Sequence, residues 1–162
     1  MLSAEPCYGI KIKLLGQCKV NIYLYGNDAL TENTLRVVLN QYNKVFLVST
    51  NKETLDLLSH FPNVSAAHDL SFSVQNIFQH SDFANFDLCI AISDNYLQNM
   101  LICNQMQQVH DVPRIICLTD NNVLSDLYES SSFNIVNIED LLSEKLNSLF
   151  PTQIDSNQRR LL

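Results

Sequence analysis

The feature of this sequence that most restricts its fold is a set of short, almost wholly apolar runs separated by segments of helical length. Val45–Val48 (VFLV) and Leu88–Ile92 (LCIAI) contain no polar residue, and Arg114–Leu118 (RIICL) contains one. A strand with apolar side chains on both sides of its backbone is covered on both faces, which is typical of parallel sheets flanked by helices. These runs therefore indicate the central strands of an α/β sheet.

Strand-like and helical segments alternate along the chain, and this alternation predicts the topology. Six strands are expected, at Val20–Tyr25, Val45–Val48, Val64–Ala67, Leu88–Ile92, Arg114–Leu118 and Ile135–Val136. The expected helices are Thr31–Tyr42, a short one with Leu55, Leu57 and Leu58, Phe72–Phe78, one from Ser93-Asp94 to about Val109, one capped by Thr119-Asp120, and one from Asn137 to Phe150. Right-handed crossovers then give a Rossmann-like, doubly wound, mostly parallel six-stranded sheet with helices on both faces.

Length and charge exclude several classes of protein. The 162 residues suit one domain, which we place at 19–150, between a lead-in of residues 1–18 and a polar tail of residues 151–162. The net charge of −7 argues against binding to nucleic acid or to anionic lipid. No apolar run is long enough for membrane insertion and no signal peptide is recognisable, so a cytoplasmic protein is expected.

The cysteines favour the same compartment. Their number is odd and no pair has C-x-x-C spacing; they are Cys7, Cys18, Cys89, Cys103 and Cys117. Two of them, Cys89 and Cys117, fall inside predicted strands. We therefore expect free thiols in a reducing environment.

Motifs that mark common enzymes do not occur in the chain. There is no G-x-S-x-G, H-E-x-x-H or Walker A sequence, and the four histidines are scattered without metal-ligand spacing. A response-regulator receiver domain has a similar layout, and Asp28 and Asp69 could fill the places of two carboxylates that it needs. It would need five strands and a lysine after the last, where this chain has Thr119-Asp120. We therefore expect no catalytic residues and no metal site.

The residues at the strand ends carry a family resemblance. Gly26 follows the first strand, Ser49 ends the second 23 residues later, and His68-Asp69 follows the third. An aspartate precedes the fourth strand (NFDLCIAISDN), and Asp94–Asn99 has the spacing Asp-x-x-x-x-Asn. From about Lys19 to Phe150 the chain resembles the nucleotide-binding half of RCK (regulator of potassium conductance) domains, which include the TrkA-type subunits of potassium uptake systems.

That resemblance implies a non-catalytic, cytoplasmic regulator of ion transport. Such domains bind NAD(H), ATP or ADP and signal to a potassium channel or transporter subunit. The ligand contacts that the resemblance implies here are Gly26, Asn27, Asp28, Ser49, Thr50, His68, Asp69, Ser93 and Asn99. It also implies a homodimer, because relatives pair through exposed faces of late helices. The stripe Ile138, Leu142, Leu146 and Leu149 is predicted to contribute to such an interface.

The glycine loop departs from the pattern of a dinucleotide site. A G-x-G-x-x-G loop needs its second glycine for the pyrophosphate and its third for close packing of the helix on the strand. Here Gly26 is followed by Asp28 and Thr31 at those places, and Ser49 replaces the acidic ribose ligand. Asp28 either faces the phosphate and repels it, or turns inward and caps the helix through Leu30 or Thr31. Both alternatives predict weak or lost nucleotide binding. An NAD(P)-linked oxidoreductase and a ligand-free structural partner remain as other functions.

Overall fold

The structure is a computed structural model, and it describes residues 19–69, 85–120 and 133–149. The strands are β1 (Asn21–Tyr25), β2 (Lys44–Ser49), β3 (Val64–His68), β4 (Leu88–Ala91), β5 (Ile115–Thr119) and β6 (Phe133–Asn137). The helices are α1 (Ala29–Val38), α2 (Lys52–Leu58), α3 (Tyr96–Gln108) and α4 (Ile138–Leu149). The helices predicted at Phe72–Phe78 and after Thr119-Asp120, the lead-in and the tail lie outside the described residues.

The described strands form one six-stranded sheet in the order β3-β2-β1-β4-β5-β6, and every neighbouring pair is parallel. This confirms the predicted Rossmann-like, doubly wound sheet. From β1 the chain adds β2 and β3 on one side of the sheet and then β4, β5 and β6 on the other side. This switch point, between β1 and β4, is where a ligand crevice is expected. The order also rules out the receiver layout, in which the strands run 2-1-3-4-5.

Successive residues of the central strands enter two separate cores. On β1, Tyr23 packs on one face with Phe46 and Phe86, whereas Ile22 and Leu24 pack on the other face. The rings of Tyr23 and Phe86 meet edge to face, with centroids 5.5 Å apart. Burying each such side chain stabilises the fold by roughly 1.5–3 kcal/mol. The two cores confirm that the apolar runs are strands covered on both faces.

Three predicted helix boundaries are wrong, and local hydrogen bonds explain them. Helix α1 begins at Ala29 rather than at Thr31, because Asp28 caps it. Helix α1 ends at Val38 rather than at Tyr42. The Asn40 side chain accepts the N–H groups of Tyr42 and Asn43, which turns the chain out of the helix. Helix α3 begins at Tyr96 with Asn95 as its N-cap, and not at Ser93-Asp94. The predicted cap of α4 is supported, because Asn137 Oδ1 accepts the N–H of Glu139 at 2.9 Å.

Three cysteines lie in the described part of the chain. Cys89, Cys103 and Cys117 are buried and free. Hydrogen bonding to Cys89, and then burial, raises the pKa of Cys103, and hydrogen bonding to Cys103, and then burial, raises the pKa of Cys117. High thiol pKa values and burial are typical of unreactive core cysteines. None of the helices in the described residues combines the length and apolar character that crossing a bilayer requires.

Helix α4 follows β6 without a connecting loop and differs from the other helices in burial. Every side chain described in it is exposed. Its apolar residues are 39% exposed at Ile138, 58% at Leu142 and 46% at Leu146. Ile138, Leu142 and Leu146 of the predicted stripe are therefore not part of the domain core.

Candidate functional site

The loop after β1 begins at Gly26, and its geometry shows why a glycine is needed there. The Gly26 N–H donates to the carbonyl of Val48 at 3.2 Å. A Cβ on Gly26 would collide with Thr31 Oγ1 and lie 2.9 Å from Thr31 Cγ2. Thr31 stands at the place of the third glycine and is fully buried. The space that Gly26 leaves is thus filled by a side chain of α1.

Asp28, at the place of the second glycine, is the N-cap of α1. Its Oδ1 accepts the N–H of Leu30 at 3.0 Å and that of Thr31 at 3.2 Å. In return, the Asp28 N–H donates to Thr31 Oγ1 at 3.3 Å, which completes a capping box. Of the two alternatives for Asp28, the structure has the inward, capping one. The N–H groups that would otherwise bind a phosphate at a helix start are already bound.

Asn27 joins the β1 loop to the loop after β2. Its Oδ1 accepts hydrogen bonds from Ser49 Oγ at 2.9 Å, Thr50 N at 3.0 Å and Thr50 Oγ1 at 3.1 Å. Its backbone carbonyl accepts from Thr54 Oγ1 at 2.9 Å and Asn51 Nδ2 at 3.3 Å. The end of β2 is where a dinucleotide-binding fold holds the ribose. In this chain the two residues at the end of β2 donate their hydrogen bonds to the Asn27 side chain.

Tyr25 closes the sheet edge on the other side of the β1 loop. It is the last residue of β1 and is 1% exposed. Its hydroxyl donates to Gln98 Oε1 of α3 at 2.6 Å and accepts from Asn27 Nδ2 at 3.5 Å. Burial raises the pKa of the Tyr25 phenol, so the hydroxyl keeps its proton to higher pH than an exposed tyrosine does. Tyr25 thus bridges the switch point between β1 and β4.

Ser93 and Asn99 form a second polar cluster, at the ends of β4 and β5. Asn99 is fully buried, and its Oδ1 accepts from Ser93 N at 3.0 Å and Ser93 Oγ at 2.7 Å. Its Nδ2 donates to the carbonyls of Ser93 at 2.8 Å and Leu118 at 3.1 Å. The amide has all four of its hydrogen-bonding positions filled within the chain. The asparagine of the Asp-x-x-x-x-Asn pattern therefore ties two strand ends together.

His68 and Asp69 lie beside the Asn27 cluster. His68 Nε2 is 3.1 Å from the carbonyl oxygen of Thr50, and the ring is exposed. The Asp69 N–H donates to the carbonyl of Ser49 at 3.2 Å. The nine predicted contact residues thus fall into two groups, seven around the ends of β1, β2 and β3, and two at the ends of β4 and β5.

Carboxylates give this edge of the sheet a negative potential. Burial, and then the charges of Asp120, Asp94, Asp28 and Glu139, raise the pKa of Tyr96 at the start of α3. The whole chain carries a net charge of −7. The four carboxylates therefore contribute negative charge near the start of α3.

Sequence reasoning missed three residues of this edge: Tyr25, Thr54 and Gln98. A tyrosine at the last position of a predicted strand is the one signal that was available, because such a residue lies at the ligand edge. Thr54 and Gln98 gave no signal, since each acts through a partner more than 25 positions away.

The strand order and the loops at the carboxyl edge define a Rossmann-type domain. Among solved structures, the chain is similar to the GsuK RCK domain, with a TM-score of 0.61 and 19% sequence identity. The similarity covers 86% of this chain and 30% of that chain, so this chain spans less than a third of it. No protein-family model matches the sequence, and no curated protein matches it. At the level of the fold, the likeness confirms the resemblance to RCK domains.

Proposed function

We propose that the chain is a non-catalytic, cytoplasmic regulatory domain of the RCK nucleotide-binding type, with nucleotide binding weakened or lost. Its partner would be a potassium channel or transporter subunit. The fold supports this class, and the inward cap at Asp28 is the observation that carries the loss of ligand. NAD(H) or ATP/ADP would be the ancestral ligands by resemblance.

The energetic cost of placing a nucleotide here is large. A phosphate at the start of α1 must displace the Asp28 cap, which costs about 1 kcal/mol. A carboxylate about 4 Å from a phosphate adds roughly 4 kcal/mol of repulsion at an effective dielectric of about 20. Together they would weaken a micromolar site to the millimolar range.

Calorimetry on the purified protein tests the loss of ligand. NAD⁺, NADH, ATP and ADP should each bind with a dissociation constant above about 100 μM, because the displaced cap and the repulsion remove several kcal/mol. Asp28→Asn is the matched variant, since it keeps a capping oxygen and removes the charge. A low-micromolar constant for the wild type would contradict the proposal.

The exposed stripe on α4 supports self-association in this proposal. A helix of 12 residues has little stability in water unless an apolar face is covered. Ile138, Leu142 and Leu146 give α4 such a face, and all three are exposed in the single chain. We therefore propose that a homodimer covers them, as the resemblance implied.

A ligand-free structural partner is the second candidate, and the filled Asn27 cluster favours it. It differs from the regulatory domain only in having no signal to transmit. The oxidoreductase alternative is less favoured in this proposal, because the Asn27 and Asp28 side chains bond to groups of the chain itself at the ends of β1 and β2. Carbonyl-dependent oxidation of NADH that survives repurification would revive it.

A further inference from the structure

We infer that Asn27 is an internal ligand, whose carboxamide fills a three-donor site and holds the loops after β1 and β2 together without nucleotide. The three donors are Ser49 Oγ, Thr50 N and Thr50 Oγ1, at 2.9, 3.0 and 3.1 Å from one oxygen. Two hydroxyls and one backbone N–H converging on a point form a site for a single acceptor oxygen.

The hydroxyl of Ser49 shows that this site is committed to an acceptor. Ser49 is fully buried, and its Oγ accepts the N–H of Asn51 at 3.0 Å. The hydroxyl hydrogen is then directed at Asn27, which is the acceptor that the Ser49 Oγ reaches at 2.9 Å. Without the Asn27 carboxamide, a buried hydroxyl would lose its acceptor, which is costly.

The backbone of Asn27 strengthens the same connection. Its carbonyl accepts from Thr54 on α2, so one residue bonds the end of β2, the following loop and the next helix. In a ligand-sensing domain, the ligand would join these loops and its departure would release them. Here the join is covalently attached to β1. The loops after β1 and β2 therefore stay joined whether or not a ligand is present. This inference rests on the proposed function only where it speaks of ligand sensing.

Chemical rescue separates an occupied site from an ordinary structural hydrogen bond. Asn27→Ala removes the carboxamide and leaves a vacancy of the size of formamide. We expect its Tm to fall by about 5 °C or more, because the buried Ser49 hydroxyl and the two half-buried Thr50 donors lose their acceptor. Formamide, titrated to a few hundred millimolar, should return at least a third of that loss. In wild type the same formamide should leave Tm unchanged or lower it.

Asn40→Ala is the matched control, because the exposed Asn40 side chain also accepts two N–H groups, at the end of α1. Its Tm should fall without a response to formamide, since water already reaches that position. Equal formamide responses in Asn27→Ala and Asn40→Ala would overturn the inference, as would a Tm loss below about 2 °C in Asn27→Ala.

Asn27→Asp covers the case in which Asn27→Ala does not fold. It retains an acceptor oxygen at the same position and should fold with a Tm nearer to wild type; failure of both variants to fold overturns the inference. These melts contain no nucleotide, whereas the proposed function fails through nucleotide calorimetry on wild type. The two failures are therefore distinguishable.

Discussion

Two regions of the domain differ in how far their side chains are bonded or buried within the chain. They are the loops at the ends of β1 and β2, and the last helix, α4. At the loops, Asn27, Asp28 and Thr31 direct their polar side-chain atoms at other groups of the chain. Along α4, all the described side chains are exposed, and the apolar ones include Leu142 and Leu146.

This contrast indicates where the domain interacts with something else. A site that binds a small molecule needs donors and acceptors left over for it. In the loops after β1 and β2, side-chain donors and acceptors such as those of Asn27, Asp28 and Thr31 are bonded within the chain. Helix α4, by contrast, exposes apolar side chains to water. An exposed apolar stripe on a helix is typical of a protein–protein contact. We therefore expect the domain to act through α4 more than through a nucleotide.

The largest expected effect is loss of self-association in the double variant Leu142→Glu, Leu146→Glu. Covering two leucines stabilises an interface by roughly 3–6 kcal/mol, and the new carboxylates would have to be desolvated. We expect at least a hundredfold weaker association, with the fold retained because neither side chain is in the core. Analytical ultracentrifugation at micromolar concentration, with circular dichroism, measures both.

Glu139→Gln with Glu144→Gln is the control for that variant. It changes exposed polar residues of the same helix and should leave the sedimentation coefficient near that of wild type. If wild type itself sediments as a monomer at micromolar concentration, α4 is not a self-interface. The exposed side of α4 would then no longer indicate where the domain interacts.

The next effect concerns the cluster that ties β4 to β5. Asn99→Ala leaves the Ser93 N–H and the Leu118 carbonyl buried without their partner. Unfolding by urea should show a free energy of unfolding lower by about 3 kcal/mol. Asn95→Ala, which removes only the exposed N-cap bond of α3, should cost about 1 kcal/mol. Equal losses of unfolding free energy in the two variants would mean that the buried Asn99 amide stabilises the fold no more than an exposed helix cap does.

Most of the fold could be predicted from the sequence because it follows from apolar runs and chain handedness. Val45–Val48 and Leu88–Ile92 can be buried on both faces only in a covered sheet, and right-handed crossovers fix the parallel direction. Helix starts were less predictable. Ser93, Asp94 and Asn95 are all good N-caps, and the sequence does not show that Ser93 is already bonded to Asn99.

The candidate site was predictable in position but not in state. The strand ends are set by the fold, so most of the predicted contact residues do lie near one another. Whether they face a ligand or each other depends on pairs distant in sequence. Asn27 and Thr50 are 23 positions apart, and Tyr25 and Gln98 are 73 apart. By contrast, the Asp28 cap is local, and it was one of two alternatives that the sequence allowed.

A third effect tests whether the closed loops can be reopened. Asp28→Gly with Ser49→Asp restores two features of a dinucleotide site on paper. The structure predicts that this pair fails, because an aspartate at 49 would set its carboxylate against Asn27 Oδ1. Adding Asn27→Ala removes that conflict, so the triple variant should bind NAD⁺ at least about tenfold more tightly than the double, a gain of about 1.4 kcal/mol.

Calorimetry on both variants, with melting curves to show that each is folded, measures this difference. Equal affinities in the double and triple variants would show that Asn27 does not occupy the ligand position. The NAD⁺ dissociation constant of the wild type is the reference value for both variants.

The smallest expected effect is on stability at high pH, and it concerns Tyr25 at the switch point. Burial raises the pKa of the Tyr25 phenol above its ordinary value, and it raises the pKa of Tyr23 further. A group whose pKa is higher in the folded state binds its proton more tightly there. Its contribution to stability is complete below about pH 10 and is lost as pH rises through the folded-state value.

Tyr25→Phe removes that titration and also the bond to Gln98, which costs about 1 kcal/mol at neutral pH. The urea midpoint of wild type should therefore fall more steeply than that of Tyr25→Phe as the pH rises above about 10, so the two curves should converge. Gln98→Leu is the control, because it removes the bond but leaves the buried phenol to titrate. Parallel curves for wild type and Tyr25→Phe would mean that the hydroxyl reaches water, and that the crevice between β1 and β4 is open to a ligand after all.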